Sequence, residues 1–275
     1  MSVLIGILTL SYVFLLLFLL FGFSKIPEFF GKSTAPKTTF SIVIPFRNES
    51  ENLPALFRSI ENLKYPPELY EVILVNDASE DASENLCREF IQANSNLNIQ
   101  LLQNNRTSES PKKDAITTAV QKAAFGYILT TDGDCEVPEK WLSEFDSKIS
   151  ESGAKMLAAP VMLDQKNGQK SSFLTIFQEL DIFSLQAATI GGFGVNLPFM
   201  CNGANLCYEK KAFQEVHGFE GNDKIASGDD IFLLEKFRRK GLKTAFLKSK
   251  AAIVTTSPQP DLKSFFSQRI RWAAK

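Results

Sequence analysis

Residues 126–134 read GYILTTDGD, an apolar run that ends in Asp132 and Asp134. Residues 71–77 read EVILVND and end the same way, in Asp77. An uninterrupted apolar, β-branched run is the pattern of a strand buried on both faces, since a half-exposed strand alternates polar and apolar residues. Two further strands are expected at residues 41–45 (SIVIP) and 98–103 (NIQLLQ). Between the strands, apolar residues return at helical spacing. Leu53, Leu56, Phe57, Ile60 and Leu63 mark one helix, Leu86, Phe90 and Ile91 a second, and residues 112–124 a third. Asn48 or Ser50 is placed to cap the first helix. Strand and helix alternate four times, which implies the α/β class with parallel pairing and right-handed crossovers. Ligands in such sheets bind beyond the carboxyl ends of the strands. Asp77, Asp132 and Asp134 are therefore expected at one rim.

The rest of the chain narrows the chemistry. No GxGxxG follows the first strand and no GxxxxGK[ST] occurs, so neither a dinucleotide site nor a P-loop is expected. The 275 residues allow one large domain or two small ones with a real core. Apolar residues make up 44% and charged ones 22%, which excludes bulk disorder. Thirty basic and 31 acidic residues are interspersed to a net charge of −1, so nucleic acid is not the expected partner. Cys87, Cys135, Cys201 and Cys207 lack CxxC spacing and read as reduced thiols. The single histidine, His217, reads as structural, and a His-based metal site or a Ser-His-Asp triad is not expected from this chain alone. Catalysis must then rest on carboxylates, lysine and arginine.

Residues 3–23, VLIGILTLSYVFLLLFLLFGF, carry no charge. Such a run crosses the ~30 Å hydrocarbon layer as a helix. The preceding residues lack Lys and Arg, and Phe-Gly-Phe-Ser-Lys is a poor cleavage site, so a retained anchor is expected over a signal peptide. The expected organisation is an anchor at 1–24, a short linker at 25–38 containing Pro27, Gly31 and Pro36, and one catalytic domain at 39–275. Lys25, Lys32 and Lys37, opposed only by Glu28, place that domain in the cytoplasm at the inner membrane by the positive-inside rule. Residues 171–199, rich in Phe, Leu, Ile and Gly, read equally as a core-packing excursion or as an acceptor platform or helix at the membrane surface.

At several points the chain resembles the family 2 glycosyltransferases, which include cellulose, chitin and hyaluronan synthases. The resemblance runs from about residue 40 to the end. Residues 41–49 (SIVIPFRNE) are similar to the family's first strand and nucleotide-contacting loop, which brings in Pro45, Arg47 and Glu49. Residues 75–79 (VNDAS) are similar to its second-strand motif and assign Asp77 to the uracil or ribose. Residues 111–115 (PKKDA) resemble a G-K-x-x-A segment with Pro in place of Gly, matching Lys112 and leaving Lys113 as a neighbour able to substitute. Residues 131–134 (TDGD) carry the D-x-D, and 201–206 (CNGANL), with Asn202, Gly203 and Asn205, resemble the segment beside the donor sugar. Residues 227–230 (SGDD) stand where the family carries an E-D pair, with Asp230 matching the general base and Asp229 replacing the Glu. Residues 268–272 (QRIRW) match QxxRW through Gln268, Arg271 and Trp272.

The resemblance implies a GT-A fold: a Rossmann-like, mostly parallel central sheet with helices on both faces, following one transmembrane helix. It implies an inverting transfer from a nucleotide-sugar donor, a UDP-sugar first, to a lipid or glycan acceptor. Family members with QxxRW continue into further membrane helices, so it also implies a longer protein. A leaving nucleoside diphosphate gathers negative charge, which a divalent cation stabilises as a Lewis acid. With only carboxylates to hold it, the ion is Mg²⁺ or Mn²⁺, with Asp134 as the direct ligand and Asp132 sharing the metal or the ribose. Arg271 and Lys112 add charge at the phosphates, and Trp272 supplies a stacking wall. Two other classes compete. A sugar nucleotidyltransferase would carry a Gly-rich loop where this chain has Arg47-Asn-Glu, and an inactive nucleotide-sugar-binding scaffold would have lost the acids that are present here.

Overall fold

The computed structural model describes residues 2–32, 35–164, 172–222 and 224–273. Helix α1 (Ser2–Lys25) is followed by β1 (Phe40–Phe46), α2 (Leu53–Glu61), β2 (Tyr70–Asn76), α3 (Ser83–Ala93), β3 (Ile99–Gln103), α4 (Pro111–Lys122) and β4 (Tyr127–Thr130). Then come β5 (Cys135–Glu136), α5 (Trp141–Ser152), β6 (Met156–Ala158), β7 (Val161–Leu163), α6 (Phe173–Gly194), β8 (Leu206–Glu209) and α7 (Lys210–Glu215). The order closes with α8 (Asp229–Arg239), β9 (Thr244–Phe246), β10 (Val254–Thr256) and α9 (Leu262–Ala273).

The expected parallel unit is present. Strand β1 pairs in parallel with β2 (Pro45 opposite Val75) and with β4 (Val43 opposite Thr130). The main sheet has seven strands in the order β3-β2-β1-β4-β8-β6-β9, and β5-β10-β7 form a smaller sheet. Strand β8 runs antiparallel to both β4 and β6, so the sheet is mixed in its second half. Successive strand residues point to opposite faces, and here both faces are covered. Ile42, Ile44, Val72 and Leu74 pack with α2, α3 and α5 through Leu56, Ile60, Phe90, Trp141 and Phe145. Val43, Ile73, Val75 and Ile128 pack with α4, α7 and α8 through Ile116, Ala119, Phe213, Leu234 and Phe237. This two-sided burial is why the strands read as unbroken apolar runs. All four cysteines are free and buried.

One expectation needs correction. The N-cap of α2 is Asn52, whose side chain makes no capping bond. Asn48 sits instead at φ +55° and its Oδ1 accepts the Glu80 N–H at 2.8 Å, while the Ser50 N–H donates to Asp81 at 3.0 Å. Both residues tie the loop after β1 to the loop after β2. The described residues 26–32 and 35–38, in the segment read as a linker, are strapped to the domain. The Phe29 N–H donates to the Lys248 carbonyl at 2.7 Å, the Gly31 N–H to Glu144 at 3.1 Å, and the Thr38 N–H to Asp146 at 2.9 Å. Ser33 and Thr34 of this segment, Ser171, and the last two residues lie outside the described residues.

Helix α1 is long and apolar enough to cross a membrane, and its body is exposed. Among the described residues, its last turns meet the end of α6. A Cβ on Gly194 would overlap the Gly22 carbonyl, and one on Gly191 would overlap the Leu19 carbonyl. Glycine at these positions lets two backbones meet, as small residues do between membrane helices. Gly194→Leu should lower the melting temperature of the detergent-solubilised protein by several degrees, since overpacking costs about 1–3 kcal/mol. Scanning fluorimetry checks this.

Candidate active site

The carboxyl ends of β2 and β4 flank that of β1, and the site is built on this rim. Asp77 follows β2 by one residue, and Asp132 and Asp134 follow β4. Across from β4, Lys112 stands in the first turn of α4. Its ammonium lies 2.6 Å from Asp132 Oδ1 and 3.6 Å from Asp229 Oδ2, so one cation ties the D-x-D turn to the start of α8. Burial works against that charge, but Asp132, Asp229 and Asp230 together outweigh it and hold Lys112 protonated well above its ordinary range. Burial beside Asp134 and Asp229 pushes Asp132 upward against the pull of Lys112. Lys113 is not a substitute for its neighbour. Consecutive helical residues point about 100° apart, and the buried Lys113 ammonium donates to the Asn222 and Ile225 carbonyls at 2.7 and 2.8 Å.

Gly228, at φ +82°, is the N-cap of α8 and places Asp229 and Asp230 in its first turn. Asp230 Oδ1 accepts the Ile231 N–H at 2.7 Å, and its Oδ2 accepts the Gly203 N–H at 3.3 Å. The Thr130 hydroxyl, at the end of β4, donates to the Gly203 carbonyl at 2.6 Å. Gly203 is thus the joint between β4 and the acidic turn. A Cβ there would sit 2.8 Å from Asp229 Oδ2. Gly203→Ala should displace that carboxylate and lower kcat/KM by at least about tenfold, given that a ~1 Å misplacement can cost ~10²-fold. Steady-state kinetics beside a melting curve checks that the loss is not one of folding. Asn202 caps the short turn at Gly203 by accepting the Ala204 N–H at 3.0 Å. Asn205 is fully buried, bonded to the Trp141 indole and to the Pro160 and Ala252 carbonyls, so it secures the segment from beneath.

On the β2 side, Asp77 is gripped by Arg106, with Nε 2.6 Å from Oδ1 and Nη2 2.8 Å from Oδ2, and by Asn104 Nδ2 at 2.6 Å. Burial pushes the Asp77 carboxyl up, but these bonds and the Arg106 charge prevail and hold it below its usual value. Arg106 and Asn104 were not among the expected residues. The signal was available, because the polar loop after a parallel strand lies on the ligand rim. Because the Asp77 pKa is lowered, the ionised fork persists through mild acid and is lost only as pH falls through that lowered value. Arg106→Ala should therefore weaken nucleotide binding by roughly tenfold at neutral pH, read by calorimetric titration.

Glu49 stands against the D-x-D turn, 3.1 Å from where a Cβ on Gly133 would lie, and takes a 2.7 Å hydrogen bond from Asn52. Burial pushes the Glu49 carboxyl up, the Asn52 bond pulls it down, and Asp134 and Asp132 push it up further. Arg47 is exposed and pairs with Glu80 at 3.6 Å. Pro45 is buried within β1, below the rim.

The QxxRW residues lie on α9. Arg269, inside the motif, stacks on Phe265 and Trp272 with centroid distances of 4.6 and 4.2 Å and pairs with Asp181 of α6. Gln268 accepts from Arg269 at 3.0 Å, and Arg271 is exposed. The described contacts therefore join α9 to α6, and none joins Gln268, Arg271 or Trp272 to the carboxylate rim. His217, at φ +58°, forms the turn after α7, in keeping with a structural role.

Among the described residues, no three His, Cys, Asp or Glu side chains gather as a metal cage. Asp132 is already committed to Lys112, and the described side-chain contact of Asp134 is a weak one, the Cys135 thiol at 3.5 Å. This donor set fits a hard divalent ion held by one or two carboxylates, with substrate phosphates and water completing its shell.

The sequence model described as "Glycosyl transferase family 2" matches residues 41–212. The chain belongs to this family. Among relatives, it is 28% identical over 128 residues to the glycosyltransferase AglE of Haloferax volcanii, covering 46% of this chain and 41% of that one. It is 27% identical over 237 residues to poly-beta-1,6-N-acetyl-D-glucosamine synthase of Staphylococcus aureus, covering 82% and 52%. The chain spans about half or less of the length of these relatives. Its fold matches the mannosyltransferase PcManGT of Pyrobaculum calidifontis, solved with GDP-Man and Mn²⁺, with a TM-score of 0.71 at 16% identity over 99% of this chain and 72% of that one. It also matches S. aureus TarS 1–349 in complex with UDP-GlcNAc, with a TM-score of 0.58 at 16% identity over 86% and 66%. The family 2 chain thus has the GT-A architecture that the resemblance implied.

Proposed function

We propose that this family 2 member is a membrane-anchored, inverting glycosyltransferase that moves a sugar from a nucleoside-diphosphate donor, UDP-linked first, to a hydroxyl of a lipid or glycan acceptor. The observation that carries the proposal is the bridge of Lys112 between Asp132 and Asp229. It supports a reading in which groups suited to the leaving diphosphate and groups suited to the acceptor share one rim. The solved neighbours with GDP-Man and with UDP-GlcNAc support a nucleotide-sugar donor. An undecaprenyl-phosphate 4-deoxy-4-formamido-L-arabinose transferase of Proteus mirabilis, 33% identical over 99 residues, and the polymer synthase support a lipid or glycan acceptor. Helix α1 and the lysines after it support attachment to the inner membrane with the domain in the cytoplasm.

In this mechanism Asp77 and Arg106 hold the nucleoside, with Arg47 and Glu49 at the same edge. Asn202 and Gly203 border the donor sugar, and Lys112 meets the diphosphate as a cation. Asp134, with Asp132 beside it, would hold Mg²⁺ or Mn²⁺, which supplies Lewis-acid stabilisation of charge on the leaving group. The acceptor oxygen attacks the anomeric carbon, gives its proton to Asp230, and the bond from that carbon to the β-phosphate oxygen breaks with inversion. The Gly203 and Ile231 N–H groups orient Asp230, while Asp229 keeps Lys112 in place. Gln268, Arg271 and Trp272 close over the donor from α9.

Turnover of a panel of nucleotide sugars by the detergent-solubilised protein, with Mn²⁺, Mg²⁺ or EDTA, tests this. One donor turned over only with metal, and lost in Asp134→Asn, is expected. Binding of a donor without turnover in either metal would leave a nucleotide-sugar scaffold as the better account, and no binding of any donor would contradict the proposal.

A further inference from the structure

The loop of residues 216–228 delivers Asp229 and Asp230 to the site, and α8 does not fix its own start. Its N-cap is Gly228, which has no side chain to cap it. The place of the acidic turn is therefore set by what holds the loop before it. Among the described residues, two lysines hold it from opposite sides. Lys236, on α8, donates to the Gly218 and Glu220 carbonyls, both at 2.7 Å, and fixes the first half of the loop. Lys113, on α4, donates to the Asn222 and Ile225 carbonyls and fixes the second half. The Ser110 hydroxyl, at the start of α4, adds a bond to the Ala226 carbonyl at 3.2 Å. The Lys113 ammonium also lies 5.2 Å from the centre of the Phe232 ring, in the first turn of α8.

Charge and burial suit Lys113 to this task. It is only 2% exposed, and a buried ammonium is costly unless its protons are bonded. Its bonds to the loop carbonyls are charge-assisted and so stronger than neutral ones. Moving the loop would take both from a buried cation, so lysine and loop hold each other. Lys112 and Lys113 thus act on the same turn by different routes. Lys112 holds the Asp229 carboxylate, and Lys113 holds the main chain that leads into it. Lys112 also reaches Asp132, so the first turn of α4 is the common reference for the D-x-D and for the acidic turn. We infer that Lys113 is a positioning residue for sugar transfer: it fixes the main chain before α8 so that Asp230 meets the acceptor oxygen in line with the donor. Lys113 does this without touching substrate. The inference rests on the reading of Asp230 as the acceptor's base, and goes beyond it.

Lys113→Ala and Lys236→Ala remove the same chemistry from the two halves of one loop. Both are compared with the unaltered full chain in detergent with Mn²⁺. Calorimetric titration of uridine diphosphate reports folding and the donor side, and kcat for transfer is measured with the panel of nucleotide sugars. Lys113→Ala should lower kcat at least about tenfold, since a ~1 Å misplacement can cost ~10²-fold, and should leave the Kd for uridine diphosphate near that of the unaltered protein. A cavity of about 420 Å³, lined by Thr117, Gln121 and His217 as well as Lys113, gives a small amine a way in. n-Propylammonium, which replaces the atoms lost from the side chain, should therefore restore kcat saturably, and n-propanol should not. Lys236→Ala should keep kcat near that of the unaltered protein. Lys113→Met, of similar length without the charge, should share the loss and serves in place of alanine if that variant does not fold. Equal loss of kcat in the Lys113 and Lys236 variants overturns the inference, as does loss of uridine diphosphate binding together with kcat. Asp230→Asn, measured alongside, separates the two readings. Loss of kcat there with none in the Lys113 variants removes the inference and leaves the base in place. Full kcat in Asp230→Asn removes the base, and the inference with it.

Discussion

Asp230→Asn should lower kcat for sugar transfer by about 10²–10⁴-fold while leaving donor affinity near that of the unaltered protein, because a positioned general base contributes that much to the rate. The geometry separates this residue from its neighbour. Asp230 is buried and oriented by two backbone N–H groups, whereas Asp229 points at Lys112. A carboxamide at 230 keeps the size of the side chain but cannot take the acceptor proton. Asp229→Asn should act through the cation instead, raising KM for the donor more than it lowers kcat. Steady-state kinetics with the donor found by the panel, together with nucleotide titration, decides between them. Equal loss of kcat in both variants would mean that the pair acts as one unit.

Lys112→Ala has the second largest expected effect. It leaves Asp132 and Asp229 without their shared cation at the place where a diphosphate must bind. Loss of one partner from a hydrogen-bonded charge pair costs about 2–5 kcal/mol, so kcat/KM should fall by about 10²–10³-fold. The loss should lie in function far more than in folding. Both Lys112 and Asp132 side chains are about a third exposed (35 and 34%), and solvent screens such a pair. Lys112→Arg should rescue only part of the activity, because the guanidinium fork does not reproduce a compact ammonium. Kinetics and a melting curve on the same preparations check both halves.

The sheet was legible because burial on both faces leaves the middles of β1, β2 and β4 apolar, and two of these runs lead into acids. The acidic turn of α8 was legible for the same local reason, since Gly228 and the residues after it carry a helix start in their own sequence. What was hidden depends on contacts made far along the chain. Arg106 becomes a site residue only because β3 delivers its following loop to the rim beside Asp77. Lys113 was grouped with Lys112 by adjacency, although one step along a helix turns a side chain away from the cleft. The segment before β1 read as a short linker, and its hold on the domain through Glu144 and Asp146, more than a hundred residues downstream, was hidden. Residues 171–199 allowed two readings, and helix α6 within them shows why: its last turns are buried against α1 and the sheet while its first turns are open. The QxxRW residues matched a motif by identity, yet their packing is set by Arg269 within it.

The most direct test is the anomalous diffraction of Mn²⁺ in crystals of the protein grown with a nucleoside diphosphate. A single strong peak beside Asp134, with the diphosphate reaching Lys112 and the base lying against Asp77, is predicted. A peak at any other place on the chain, or a nucleotide that leaves Asp77 and Lys112 untouched, contradicts the account.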